Sequence, residues 1–234
     1  MLADALTLNL IVAAAGVAIV HTALGPDHTL PFVALARARQ WSRTRTLWIT
    51  AACGVVHILS SLTLGLIGLG AGLAVGSFEA AEAGRGRWAA WSLVAFGFAY
   101  GLWGVRRAWT ARRGIALHAH ASDTHLHAHS HVAHEHAEPT HSVTVWALIV
   151  VFLLGPCEPL IPLFVIPASE GRWSLAAATA VTFGVITLVT MLALVALAHG
   201  GLQRLQHGVL ERWSHALAGS VLVASGAAVL FLGL

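Results

Sequence analysis

Two short runs of this sequence carry side chains that bind metal ions. His21-Thr22-Ala23-Leu24-Gly25-Pro26-Asp27-His28 supplies two imidazoles and a carboxylate, and Leu154-Gly155-Pro156-Cys157-Glu158-Pro159-Leu160 supplies a thiol and a carboxylate. A third imidazole, His57, lies in Cys53-Gly54-Val55-Val56-His57-Ile58-Leu59-Ser60-Ser61. Imidazole suits nickel, cobalt, zinc and copper, and carboxylate or thiolate completes the shell. All three runs are set in apolar sequence, where an ionisable side chain is costly and marks a function by default. His21 and His28 are seven residues apart, so a regular helix places them on one face, and a Gly-Pro break brings them closer. Asp27 reaches the same cavity where the backbone unwinds. Each residue also has a plainer use: His57 as a hydrogen-bonding group between helices, Cys157 as a small buried hydrophobe, Asp27 as a proton-coupling carboxylate. The expected metal site is Asp27, His28, His57, Cys157 and Glu158, with His21 at its edge.

These residues need elements that hold them at depth. Hydrophobic residues make up 57% of the 234 and charged residues 10%, against about a quarter charged in a soluble domain. With a mean hydropathy of +0.77, the composition excludes an ordinary soluble protein. Six apolar stretches, near 5–24, 47–70, 88–105, 144–166, 174–198 and 213–234, each approach the roughly 20 residues of a membrane-spanning helix. Asp4 stands where a signal peptide carries a basic residue, so the first stretch is expected to remain as a mature helix. The fold class expected is an all-α integral membrane protein.

The chain also repeats itself. Leu24-Gly25-Pro26 matches Leu154-Gly155-Pro156, and Gly54-Val55-Val56-His57 falls opposite Gly184-Val185-Ile186-Thr187, both at an offset of about 130. Leu93-Val94-Ala95 with Gly97 matches Leu222-Val223-Ala224 with Gly226 at about 129. Three spans per unit force the second unit to enter the membrane from the opposite side. Two inverted three-helix repeats with broken first helices place a site near the midplane. The division expected is 1–109 for the first membrane repeat, 110–143 for a connecting loop and 144–234 for the second repeat.

All thirteen basic residues are arginine. Ten fall in the connections after the first, third and fifth spans, and three in the other two, where Glu79, Glu82 and Glu170 accompany them. The positive-inside rule then puts both termini outside and the central loop in the cytoplasm. The scattered arginines serve topology, so no nucleic-acid partner is expected. Arginine-only usage with abundant alanine points to a GC-rich prokaryotic genome, hence a bacterial or archaeal cytoplasmic membrane. The central loop holds His118, His120, His125, His127, His129, His131, His134, His136 and His141. So dense a tract reads as metal binding, and its irregular spacing fits capture more than a single structural site. A solvated linker or a pH-sensing segment are the other readings of it.

The motifs His21 to His28, Gly54 to Ser60, the His-rich loop and Leu154 to Leu160 together resemble bacterial nickel/cobalt transporters. The likeness extends to the nickel/cobalt permease, nickel/cobalt efflux and hydrogenase/urease accessory permease branches, which stand near the TauE/SafE sulfite-exporter-like families. In the permeases a His, four residues and then Asp-His form the metal signature. Asp27-His28 matches its end, whereas five residues separate His21 from Asp27. His57 matches the second-helix histidine. The resemblance implies transport of a divalent ion, nickel or cobalt first and zinc or copper next, with no permanently bound cofactor and with proton coupling through Asp27 or Glu158. Six spans with a His-rich loop are more like the efflux branch, and the Asp-His pair more like the uptake branch. Two other functions stay open at the level of sequence. Half-helix N-termini at the breaks suit a sulfite or organic-anion exporter. The Gly-Pro-Cys break resembles thiol-redox proteins of cytochrome c biogenesis, which would require Cys53 to pair with Cys157. No nucleophile–base pair and no His-Glu-x-x-His run is present, so enzymatic activity is not expected.

Overall fold

A computed structural model of the chain describes residues 2–72, 75–110, 117–118, 127–128, 140–155, 157–202 and 211–232. Proline and glycine decide where its helices stop. α1 (Leu2–Leu24) ends one residue before Gly25, and a single 3-10 turn (Pro26–His28) leads to α2 (Leu30–Ala38), which carries Pro31 in its first turn. Proline has no N–H to donate, so the ladder of α1 cannot run through Pro26. α3 (Arg43–Gly70) starts on Ser42, whose side chain accepts from the Arg45 amide at 3.3 Å, a serine N-cap. α4 covers Val75–Thr110.

The second half follows the same order. α5 (Thr140–Leu154) stops at Gly155, and α6 (Leu160–Ser169) begins after Pro159. α7 (Trp173–Leu202) and α8 (Ser214–Leu232) complete the bundle. The turn from α2 to α3 contains Gln40 at φ 52°, and the turn from α6 to α7 contains Gly171 at φ 75°. A left-handed residue thus closes the same corner in each half, freely in the glycine case and at a conformational cost in the glutamine case.

Five helices are long and apolar enough to cross a membrane: Thr7–Leu24, Arg43–Gly70, Ala80–Thr110, Trp173–Gly201 and Ser214–Leu232. Only 17–33% of the most apolar window of each is buried inside the bundle, so most of that surface faces outward and needs lipid. The chain is a helical, multi-pass membrane protein. The fourth expected span, 144–166, is instead two shorter apolar helices, α5 and α6, parted at Gly155–Pro159. The third is longer than expected, because α4 begins thirteen residues before Trp88. Glu79, Glu82, Arg85 and Arg87, expected in a connection, are therefore helical. The His-rich tract lies mostly outside the described residues. Within it Leu117–His118 pairs antiparallel with His127–Ala128, and His141 falls in the first turn of α5.

Two helix pairs fix the bundle through missing side chains. A Cβ on Gly54 of α3 would stand 2.9 Å from Leu188, and one on Gly184 of α7 would stand 3.1 Å from Ile58. The contact is reciprocal, 54 with 188 and 58 with 184, so α3 and α7 run antiparallel. α4 and α8 also run antiparallel and pack more closely still. A Cβ on Gly97 would lie 2.7 Å from Cβ of Leu222, and one on Gly226 would lie 2.7 Å from the Ala90 carbonyl oxygen. Glycines at such crossings let helix backbones touch where lipid offers no hydrophobic drive.

The core divides into two clusters. One gathers Phe32, Leu35, Leu148, Phe152 and Met191, and the other Ala14, Ala18, Cys157, Phe164 and Phe183. At the end of the bundle shared by the C-terminal ends of α2 and α4 and the N-terminal ends of α5 and α8, Arg39 donates to Tyr100 Oη at 3.1 Å and to Thr144 Oγ1 at 2.8 Å. Tyr100 Oη is also 2.8 Å from His215 Nδ1. This polar layer ties four helices together on the side where the chain leaves for its His-rich tract.

Candidate metal centre

The first helix break folds back on itself. The Gly25 amide donates to the His21 carbonyl at 3.0 Å, and the His28 amide donates to the Gly25 carbonyl at 3.2 Å. This tight turn brings the His28 ring to 4.9 Å from the His21 ring, centroid to centroid, nearly perpendicular to it. A Cβ on Gly25 would come within 2.5 Å of His28 Nδ1, so the turn closes only around glycine. On its other side the His28 ring stands 5.2 Å from that of His57. The second break delivers Cys157. Donor atoms of His21, His57 and Cys157 all lie within 4.8 Å of one another.

His57 is buried near the middle of α3. It follows Arg43 by fourteen residues, about 21 Å along a helix of about 42 Å. The cluster sits where the two core clusters meet. Phe183 stands 6.2 Å from the His21 ring, and Phe152 stands 6.0 Å from the His57 ring. In this apolar setting the imidazoles have unspent valences. Nε2 of His21, Nε2 of His28 and both nitrogens of His57 are buried and form no hydrogen bond of good geometry with another protein group among the described residues. Buried polar atoms are normally paired, so imidazole nitrogens gathered in this way suit a shared ligand, a water or an ion.

Asp27 acts through His28. Its Oδ1 is 2.9 Å from His28 Nδ1. A neutral imidazole that donates from Nδ1 keeps its lone pair on Nε2, and a carboxylate partner of this kind orients metal-binding histidines. A small cavity lined by Asp27, His57, Leu93, Phe152, Gly155 and Val229 reaches the cluster. It gives Asp27 its partial exposure, with 23% of the side chain accessible.

The residues expected at the site thus fall into three positions. His21, His57 and Cys157 form the close group, although His21 was expected only at its edge and the spacing from Asp27 departs from the permease signature. Asp27 and His28 stand beside that group. Glu158 does not join them. It is exposed on the turn that carries Cys157 inward, and neighbouring residues of a turn point apart. Cys53 and Cys157 are both free and belong to different core clusters. Of the histidine tract, only the backbone of His118, His127 and His141 lies within the described residues.

Glu82 and Arg85 were missed as site residues. Glu82 is fully buried, and its Oε2 accepts from the Cys157 amide at 3.0 Å. Arg85 donates to the Gly155 carbonyl at 2.8 Å. The signal available was a Glu-x-x-Arg pair, one helical turn apart, but Gly84 and Gly86 beside it read as turn signals and masked it.

No family model, curated protein or solved structure matches this chain. The functional reading therefore rests on the geometry.

Two imidazoles and a thiol in one group, with a carboxylate-oriented third imidazole adjacent, are donors for a borderline or soft divalent cation. The thiol ionises when it ligates, and a cation entering such a site displaces protons.

Proposed function

We propose that this protein carries a divalent transition-metal ion across the cytoplasmic membrane, with nickel or cobalt placed before zinc or copper on the resemblance of the Asp27-His28 and His57 motifs alone. The observation that carries the proposal is the cluster of His21, His57 and Cys157 donor atoms within 4.8 Å at mid-helix depth, ringed by unpaired imidazole nitrogens. Asp27 and His28 assist at the edge facing the cavity, where an arriving ion first meets charge. The His-rich segment captures the ion in the cytoplasm and raises its local concentration.

The architecture proposed is a pair of inverted repeats, α1 to α4 and α5 to α8. Supporting it are the antiparallel α3–α7 and α4–α8 pairs, whose members the sequence repeat already relates, and the reciprocal Gly54–Leu188 and Gly184–Ile58 contacts. Each half then contributes one broken helix to a shared site, as in other carriers of this design. Both termini face outward, and proton movement accompanies the metal because the ligands must lose protons to bind it.

Cobalt titration of the purified protein in detergent tests the site. A bound ion gives a thiolate-to-cobalt charge-transfer band that Cys157→Ser removes and Cys53→Ser leaves intact. A parent protein without that band, or one whose band survives Cys157→Ser, would show that the cluster is not a cobalt site.

A further inference from the structure

A broken helix leaves polar groups of two kinds facing each other. The C-terminal end of α5 carries partial negative charge and the N-terminal end of α6 partial positive charge. The Leu160 and Ile161 amides already donate to the Cys157 and Glu158 carbonyls at 2.9 and 3.2 Å, and the Gly155 carbonyl and the Cys157 amide lie between the two ends. In the second break these groups are met by an ion pair that arrives from another helix. Glu82 of α4 takes the Cys157 amide, ahead of α6, and Arg85 of α4 gives to the Gly155 carbonyl, just after α5. The two side chains are 3.3 Å apart. Each charge therefore faces the helix end of opposite polarity. The same pair is anchored to α3: Ser61 Oγ donates to Glu82 Oε2 at 3.2 Å and accepts from Arg85 at 2.8 Å. Ser61 is one turn beyond His57, and a Cβ on Gly155 would lie 3.1 Å from His57 Nδ1. Glu82 and Arg85 thus hold the backbone on both sides of Pro156 and fix it against the helix that carries His57.

We infer that Glu82 and Arg85 are a positioning pair for the metal centre, splinting the second break so that Cys157 faces His21 and His57. The inference rests on the proposed site insofar as Cys157 is a ligand, but the splint itself is a statement about backbone. Among the described residues, no ion pair like Glu82–Arg85 braces the first break. The positions that the repeat relates to Glu82 and Arg85, at an offset of 129, are Glu211, which is exposed, and Ser214. There Asp27 of the break itself supplies the charge, hydrogen-bonded to His28. The two halves of the site are therefore built differently, one from charges within the break and one from charges lent by α4. A buried pair whose partner is removed leaves an uncompensated charge, so the two residues act as a unit.

The test follows Cys157 with N-ethylmaleimide on the full chain, with Cys53 as the internal reference and the modified peptides resolved by mass spectrometry. Glu82→Ala and Arg85→Ala should each speed modification of Cys157 about tenfold or more, since each frees a buried backbone group, while Cys53 keeps its parent rate. Glu82→Gln should fall between, because its amide oxygen still accepts from the Cys157 amide. The exchanged pair, Glu82→Arg with Arg85→Glu, should not restore protection. It keeps the ion pair but sets each charge against the wrong helix end. Parent-like protection in both alanine variants, or protection regained in the exchanged pair, overturns the inference. If an alanine variant exposes both thiols equally it has lost its fold, and Glu82→Gln against the parent then decides. Cobalt absorption separates the two levels. A parent without a thiolate–cobalt band defeats the metal site, while the alkylation rates still judge the splint.

Discussion

His57 and Cys157 come from different halves of the chain, and both are buried. Their donor atoms meet in one group with that of His21. Replacing either by alanine should lower cobalt affinity by at least about tenfold, and Asp27→Asn, which acts through His28, by about 10–100-fold. Isothermal titration at fixed pH measures each. Protons and metal compete for the same atoms, so the apparent affinity should fall as pH falls, with steeper loss where more than one ligand protonates. Titration at pH 7.5 and 6 gives the sign. The metal-binding residue types were legible in the sequence because imidazole and thiol inside apolar runs stand out. The membership was not. His21 joins the group because the Pro26–His28 turn doubles back over it, a path that linear spacing does not encode. Glu158 was expected from its place beside Cys157, yet a turn sends adjacent side chains to opposite sides.

At the scale of elements, the Gly-Pro breaks and most of the membrane helices could be read from composition and proline placement. The helical reach of α4 could not. Glu79, Glu82, Arg85 and Arg87 look like a solvated connection, and only the tertiary pairing of Glu82 with the second break makes a buried charge tolerable there. Gly97 and Gly219 lie where α4 and α8 touch backbone to backbone. Alanine at either should cost about 1–3 kcal/mol, the usual penalty of overpacking, and lower the thermal midpoint in detergent. Gly76, with nothing nearby to meet a Cβ, should tolerate alanine. An equal loss at all three positions would contradict the proposed closeness of the α4–α8 pair.

On the scale of the whole molecule, the repeat was visible as short matches at offsets near 130, and the reciprocal contacts of α3 with α7 give those matches a physical use. The division of labour between loop and membrane site is a consequence that can be measured. Deleting residues 118–141 removes the nine histidines but none of the cluster, so transport should persist with a weaker apparent affinity for metal presented on the loop side. Complete loss of transport on deletion would move the function into the loop. Single-cysteine labelling in intact cells should find the loop shielded in the cytoplasm and both termini accessible from outside.

The most direct measurement is uptake of nickel or cobalt into proteoliposomes by the loop-deleted protein, compared with His57→Ala and Cys157→Ala in the same background. Deletion removes the histidines that would otherwise bind metal without moving it. Metal accumulation by the parent, abolished by either substitution, is the outcome a mid-membrane carrier site requires. Equal flux in all three proteins, or none in the parent while sulfite moves instead, would contradict it.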